Sequence, residues 1–201
     1  MPGIKPKLLL HVCCAPCATV PLERLAEEYD ITGHFSNPNI HPYQEYRDRR
    51  EETRRYFNQL GFELIVPSKY EIEDWFKATV GLEKEKEGGA RCPVCYKLRL
   101  GQTAKLAKDL SFDHFTTTLT VSPHKKTDII NRIGQELAKE YAINYLNFDF
   151  KKEDGFKRSI ELSKENKLIR QDYCGCVFSN PIKDKETVKI AKEFIDPGFA
   201  F

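Results

Sequence analysis

From Lys7 to Phe148 the chain alternates short apolar or β-branched runs with longer amphipathic stretches, and that alternation leaves few folds open. Lys7–Val12 is apolar, and Leu22, Leu25, Ala26 and Tyr29 then recur at i, i+3, i+4 and i+7, the stripe of a core-facing helix. Ile31–Ser36 reads as a second strand and Asn37–Pro42 as a loop. Pro42 suits the first position of a helix over Tyr43–Leu60 that stops at Gly61. Phe62–Val66 is a third strand, followed by a helical face of Ile72, Trp75, Phe76 and Thr79. Glu83–Gly89 reads as a mobile surface loop that delivers the chain to Cys92, an expected N-cap with Pro93 as first helical residue. Leu98, Gln102, Leu106 and Asp109 mark the turns of that helix. Phe112–Val121 and Ile143–Phe148 are the fourth and fifth strands, separated by a helix carrying Ile129, Ile130, Ile133, Leu137 and Tyr141. Parallel strands need crossover connections and helices supply them, so the predicted fold is α/β: three layers, a parallel sheet flanked by helices. Ligands of such sheets sit beyond the carboxyl ends of the strands, where Cys13, Asn37 and Ser122 fall.

A length of 201 residues predicts a single domain over 1–201. No apolar stretch approaches the ~18 residues of a membrane crossing. The run near Leu8–Leu10 is too short for a signal-peptide core, so a cytoplasmic protein is expected. With a formal net charge of +2, attraction to nucleic acid must come from local patches.

Seven cysteines fall in three tight groups: Cys13, Cys14 and Cys17; Cys92 and Cys95; Cys174 and Cys176. In a chain without an export signal, clustered thiols serve metal binding or redox chemistry more often than structural disulfides. A C-x-x-C pair at a helix start presents both sulfurs to one point, and the helix N-terminus favours their charge. Adjacent cysteines on an extended chain diverge, which hinders convergence on one small ion and favours a larger cubane. A [4Fe–4S] cluster on Cys13, Cys14, Cys92 and Cys95 is therefore preferred to a tetrahedral zinc on Cys14, Cys17, Cys92 and Cys95. Buried cysteines acting as small hydrophobes are the plainer reading. Gly175 permits a tight turn between Cys174 and Cys176, which suits a reversible dithiol; a second metal site formed with Cys17 and Asp172 stays open.

Arg47, Arg50 and Arg54 share one helical face behind Tyr43 and Tyr46, a pattern suited to phosphates and unstacked bases. Interleaved Asp48, Glu51 and Glu52 fit a salt-bridged solvent face equally well. Ser122–Lys126 could hold phosphate at a helix start through Lys125 and Lys126, or be an ordinary cap. His11 reads as a satisfied core histidine rather than a ligand.

The segments His11–Cys17, Asn37–Ile40, Tyr46-Arg47, Cys92–Tyr96 with Arg99, Thr117–Lys125 and Asp172–Cys176 together resemble the cobalamin-independent epoxyqueuosine reductases of the QueH type, from about Leu8 to Asn180. The resemblance implies a nucleotide α-hydrolase-like fold and a tRNA-modifying oxidoreductase. The implied reaction is the last step of queuosine biosynthesis, reduction of an epoxide on the modified wobble guanosine to an alkene. It implies a [4Fe–4S] cluster on Cys13, Cys14, Cys92 and Cys95 and a redox-active pair at Cys174 and Cys176. Arg47, Arg50, Arg54, Lys125 and Lys126 become expected contacts to the anticodon loop, and an electron donor, not identified by the sequence, is needed. Cys17 and Asp172 are candidates for a second, mononuclear iron, and Asp172 or Tyr173 for the acid that protonates the departing oxygen. Two alternatives are weighed beside it. One is a sulfonucleotide reductase, whose phosphate loop is missing and whose C-terminal nucleophilic cysteine has no match in the final Pro197–Phe201. The other is a zinc-stabilised RNA-binding module.

Overall fold

The structure is a computed structural model and describes residues 4–179 and residue 189. Asn180 and the final five residues, on which part of the sequence comparison rests, lie outside them. Five parallel strands form one sheet: β1 (Lys7–His11), β2 (Asp30–His34), β3 (Glu63–Ile65), β4 (His114–Thr117) and β5 (Asn144–Tyr145), in the order β3-β2-β1-β4-β5. The helices within residues 4–179 are α1 (Ala15–Leu25), α2 (Tyr43–Leu60), α3 (Ile72–Thr79), α4 (Arg91–Asp109), α5 (Thr127–Tyr141) and α6 (Gly155–Glu165).

Period-two alternation in β1 builds the layers. Leu8 and Leu10 point to one face, where Ala18 and Leu22 of α1, Phe57 of α2 and Leu162 of α6 meet them. Leu9 points to the other, against Leu100 and Ala104 of α4 and Ile133 and Leu137 of α5. All three leucines are fully buried, each stabilising the fold by ~1.5–3 kcal/mol. A third cluster sits at the rim: Ile72, Trp75 and Phe76 of α3 pack on Cys95, Cys176 and Val177, so α3 walls the cysteines rather than covering the sheet.

The chain runs outward from β1 to β2 and β3, then crosses back to place β4 against the other edge of β1. Connections leave the carboxyl ends of β1 and β4 in opposite directions, which opens a crevice there. Cys13 follows β1 into that crevice, and its backbone N–H donates to the Thr118 hydroxyl beyond β4, 3.2 Å away.

Several expectations need correction. The fourth strand ends at Thr117, whose side chain accepts from the Leu119 N–H and folds Thr118–Val121 into a 3₁₀ turn. The fifth strand is only Asn144–Tyr145. α4 begins at Arg91 with Ala90 as its cap, two residues ahead of the expected Cys92 cap and Pro93 start. Its inner face is Tyr96, Arg99, Leu100, Thr103, Ala104 and Ala107, not the Leu98–Asp109 series, because small and polar residues occupy the buried side. The loop before α4 is tied down: the buried Arg91 guanidinium donates to the carbonyls of Leu82, Glu83 and Glu85 at 2.8, 3.1 and 2.6 Å. Helix α6, packed on the core through Leu162, was not anticipated. By contrast α2 spans the expected residues and ends at Gly61, with φ of 77°.

Candidate metal and redox site

Cys14 holds an extended conformation (φ −169°) as the cap of α1, and the first helical turn then brings Cys17 back towards it. The Sγ atoms of Cys13, Cys14 and Cys17 consequently lie within 4.8 Å of one another, a group able to hold a metal ion. Cys13 Sγ and Cys14 Sγ are 3.9 Å apart. The expected divergence of adjacent cysteines fails here because the chain turns from strand to helix between them. A spacing near 3.8 Å is what a tetrahedral ion with ~2.3 Å metal–sulfur bonds requires.

These thiols share protons. Hydrogen bonds from Cys14 and Cys17 hold the Cys13 thiol well below its usual range against its own burial, and the charges of Lys125 and Arg99 help. The Thr118 hydroxyl also donates to Cys13 Sγ, at 3.3 Å. As the donors, Cys14 is pushed up and Cys17 rises to about 12. The triad opens on a cavity of about 250 Å³ whose wall includes Arg49, Arg99, Lys125 and Arg170 with Glu87, Asp172, Tyr173 and Cys174.

A smaller adjoining cavity, about 20 Å³, is lined by Cys92, Cys95, Cys174 and Cys176 with Asn39, Trp75, Arg91 and Arg99. Cys174, Glu87, Lys125 and Arg99 line both cavities. The Gly88 N–H donates to Cys92 Sγ at 3.1 Å. Burial pushes the Cys95 thiol up. The Cys174–Cys176 turn is seated on the loop after β2: His41 N–H donates to Gly175 O at 2.8 Å, and Ile40 forms an antiparallel bridge with Cys176. Gly175 has φ of 91°, the left-handed region the turn was expected to need. Hydrogen bonding from Cys176 brings Cys174 down to about 6 and raises Cys176. All seven cysteines are free.

The other named residues divide. Lys125 faces the sulfurs; burial lowers its ammonium, but Cys13, Cys17 and Cys174 together raise it further, so the net shift is upward. Lys126 is exposed at the cap of α5. Asp172 is exposed at the mouth of the larger cavity. The Tyr173 hydroxyl donates to His41 O at 3.0 Å, and burial raises it to about 12. Arg47, Arg50 and Arg54 lie on α2 paired with Asp48 at 3.7 Å, Glu51 at 2.8 Å and Glu51 at 3.1 Å, the solvent-face arrangement. Exposed Tyr43 stacks on buried Tyr46 beside them. His11 is buried with both ring nitrogens engaged, by Thr117 Oγ1 at 2.8 Å and Ser36 O at 3.1 Å. Sequence reasoning assigned no role to Arg99, which with Arg49 is a buried arginine of the larger cavity. Arg99 sits four residues after Cys95, a helical spacing that could have placed it on the cysteine face.

The family model described as "Epoxyqueuosine reductase QueH" matches residues 8–181. A Streptococcus pyogenes epoxyqueuosine reductase QueH is 40% identical over 196 residues, covering 95% of this chain and 77% of that protein. The chain belongs to the epoxyqueuosine reductase QueH family. An Acinetobacter baylyi family member is 37% identical over 203 residues, with 100% of this chain and 93% of that protein covered. Membership of this family decides against the sulfonucleotide reductase, and its oxidoreductase activity decides against the RNA-binding module. Among solved structures, the U34-tRNA thiolase NcsA from Methanococcus maripaludis with its [4Fe-4S] cluster superposes with a TM-score of 0.56 at 13% identity. The match covers 95% of this chain and 66% of that one, a likeness of fold. Among the described residues no helix is long and apolar enough to cross a membrane.

Proposed function

We propose that this epoxyqueuosine reductase acts on the wobble nucleoside of tRNA and draws its electrons through iron held by the cysteine rim. The observation that carries this is convergence: thiols from three remote segments meet in two adjoining cavities at the switch point of the sheet. The donor set fits iron–sulfur chemistry, since unpaired thiols are its preferred ligands. Cys13, Cys14, Cys92 and Cys95 are the proposed holders of a [4Fe–4S] cluster, which supplies electrons singly when bound. Cys17, drawn to within 4.8 Å of Cys13 and Cys14, is the proposed holder of a second iron.

Removing the epoxide oxygen as water consumes two electrons and two protons. Oxidation of the Cys174 thiolate and the Cys176 thiol to a disulfide supplies the two electrons and one proton, solvent supplies the second proton, and an external donor must then reduce that pair. Cys174, lowered to about 6 and shared by both cavities, is the reactive thiol, with Cys176 as its partner. Asp172 passes a proton to the departing oxygen at the cavity mouth. Lys125 and Arg49 give the cavity the positive charge an RNA strand needs, while Arg47, Arg50, Arg54 and Lys126 contact phosphates of the anticodon loop. A cytoplasmic setting, where thiols stay reduced, suits seven free cysteines.

The test is anaerobic purification with iron and sulfide quantitation, then incubation with epoxyqueuosine-bearing tRNA and a reductant. Four sulfides with four or five irons and conversion to queuosine are expected. Zinc without sulfide would overturn the cluster. Conversion of the free nucleoside at the rate of tRNA would overturn the RNA assignment.

A further inference from the structure

Arg99 is 3% exposed, and among the described residues it forms no ion pair with a carboxylate. A guanidinium taken out of water without a counter-charge is costly, and neutral carbonyl partners repay only part of that cost. Its located partners are neutral: Nε donates to Ser36 O at 3.3 Å and Nη2 to Asn37 Oδ1. Asn37 in turn donates to Val12 O at 2.8 Å, the carbonyl just ahead of Cys13. The cation is thus locked to the backbone that presents Cys13, while its own helix presents Cys95 and Cys92 one and two turns earlier on the same side. It is also the one arginine lining both cysteine cavities among the described residues, and its charge acts on Cys13 and Cys95 alike.

We propose that Arg99 is a positioning residue whose buried guanidinium, fixed between the two cysteine groups, is the counter-charge of the iron–sulfur group they hold and raises its reduction potential. The inference rests on the cluster reading above. Its physical basis is that one-electron reduction adds a negative charge, and a fixed nearby cation stabilises the reduced state more than the oxidised one. Lys125 contributes charge from the side of Cys13, Cys17 and Cys174, whereas Arg99 is fixed by hydrogen bonds to the consecutive residues Ser36 and Asn37 of the loop after β2.

The experiment compares the anaerobically loaded wild type with Arg99→Met, Arg99→Lys and Asn37→Asp by iron and sulfide content and by redox titration followed optically and by electron paramagnetic resonance. Arg99→Met should lower the reduced-to-oxidised ratio at fixed potential at least tenfold, about 59 mV for a one-electron couple. Arg99→Lys, which keeps the charge, should recover most of that loss. Asn37→Asp sets a carboxylate against the guanidinium and gives up the bond to Val12 O; by cancelling the charge it should shift the potential the same way even if Arg99→Met fails to load, with iron and sulfide content checking that the site still forms. A loaded Arg99→Met or Asn37→Asp protein with the wild-type potential overturns the proposal, as does an Arg99→Lys protein as negative as Arg99→Met. Absence of iron and sulfide from the wild type would instead sink the cluster reading itself.

Discussion

Replacing Gly175 by alanine tests whether the dithiol turn must sit where it does. At φ of 91° a side-chain-bearing residue is strained by ~1–2 kcal/mol. The new Cβ would also meet Ile40 Cγ1 at 2.8 Å and Arg49 Nη1 at 3.2 Å, crowding that costs a further ~1–3 kcal/mol. Against this stand three hydrogen bonds that seat the turn: His41 N–H to Gly175 O at 2.8 Å, Asn39 Nδ2 to Cys174 O at 3.4 Å and Arg49 Nη2 to Tyr173 O at 3.2 Å. At ~0.5–1.5 kcal/mol each, they roughly equal the strain. Alanine therefore unseats the turn and leaves the sheet intact. If ~2–4 kcal/mol is lost from the productive arrangement, single-turnover reduction slows roughly 30- to 1000-fold, while the denaturant midpoint moves little. Wild-type turnover in Gly175→Ala would refute the requirement, and a collapsed denaturation midpoint would refute the claim that the damage is local.

Three shorter predictions accompany it. Cys174→Ser and Cys176→Ser should keep wild-type iron content and lose turnover; normal activity in both would end the dithiol role. His34, buried beside Thr103, is held near 4 by burial alone. The unfolded chain takes up that proton near 6.5, so stability is whole above pH 6.5 and falls progressively towards pH 4, by about 3 kcal/mol at most. His34→Gln should flatten urea-denaturation stability across that window, and an unchanged slope would show that other groups govern it. Affinity for tRNA should fall with salt, and Arg47→Glu with Arg54→Glu should shallow that dependence; a flat response in the wild type would remove the phosphate contacts on α2.

Much of the fold was legible because apolar spacing reports burial. Ile72, Trp75, Phe76 and Thr79 are all buried on one face of α3, and α2 starts and stops where Pro42 and Gly61 indicated. The inner face of α4 was not legible, since Arg99, Thr103, Ala104 and Ala107 carry no hydrophobic signature and are buried by what surrounds them. Helix α6 escaped for a related reason: its buried positions include Gly155, Ser159 and Ser163.

The cysteine site divides the same way. Local spacing by itself determined which sulfurs travel together, because three or fewer residues between thiols keep each group within one turn of chain. Only the tertiary structure decided how the groups meet: β1 and β4 pair to bring Cys13 against Thr118, and the loop after β2 seats Gly175. It also turned Lys125 inwards while leaving Lys126 in solvent, and buried Arg99 between the two cavities. Contacts between residues about 60 to 135 positions apart depend on sheet order and helix packing, and no one-dimensional period encodes them.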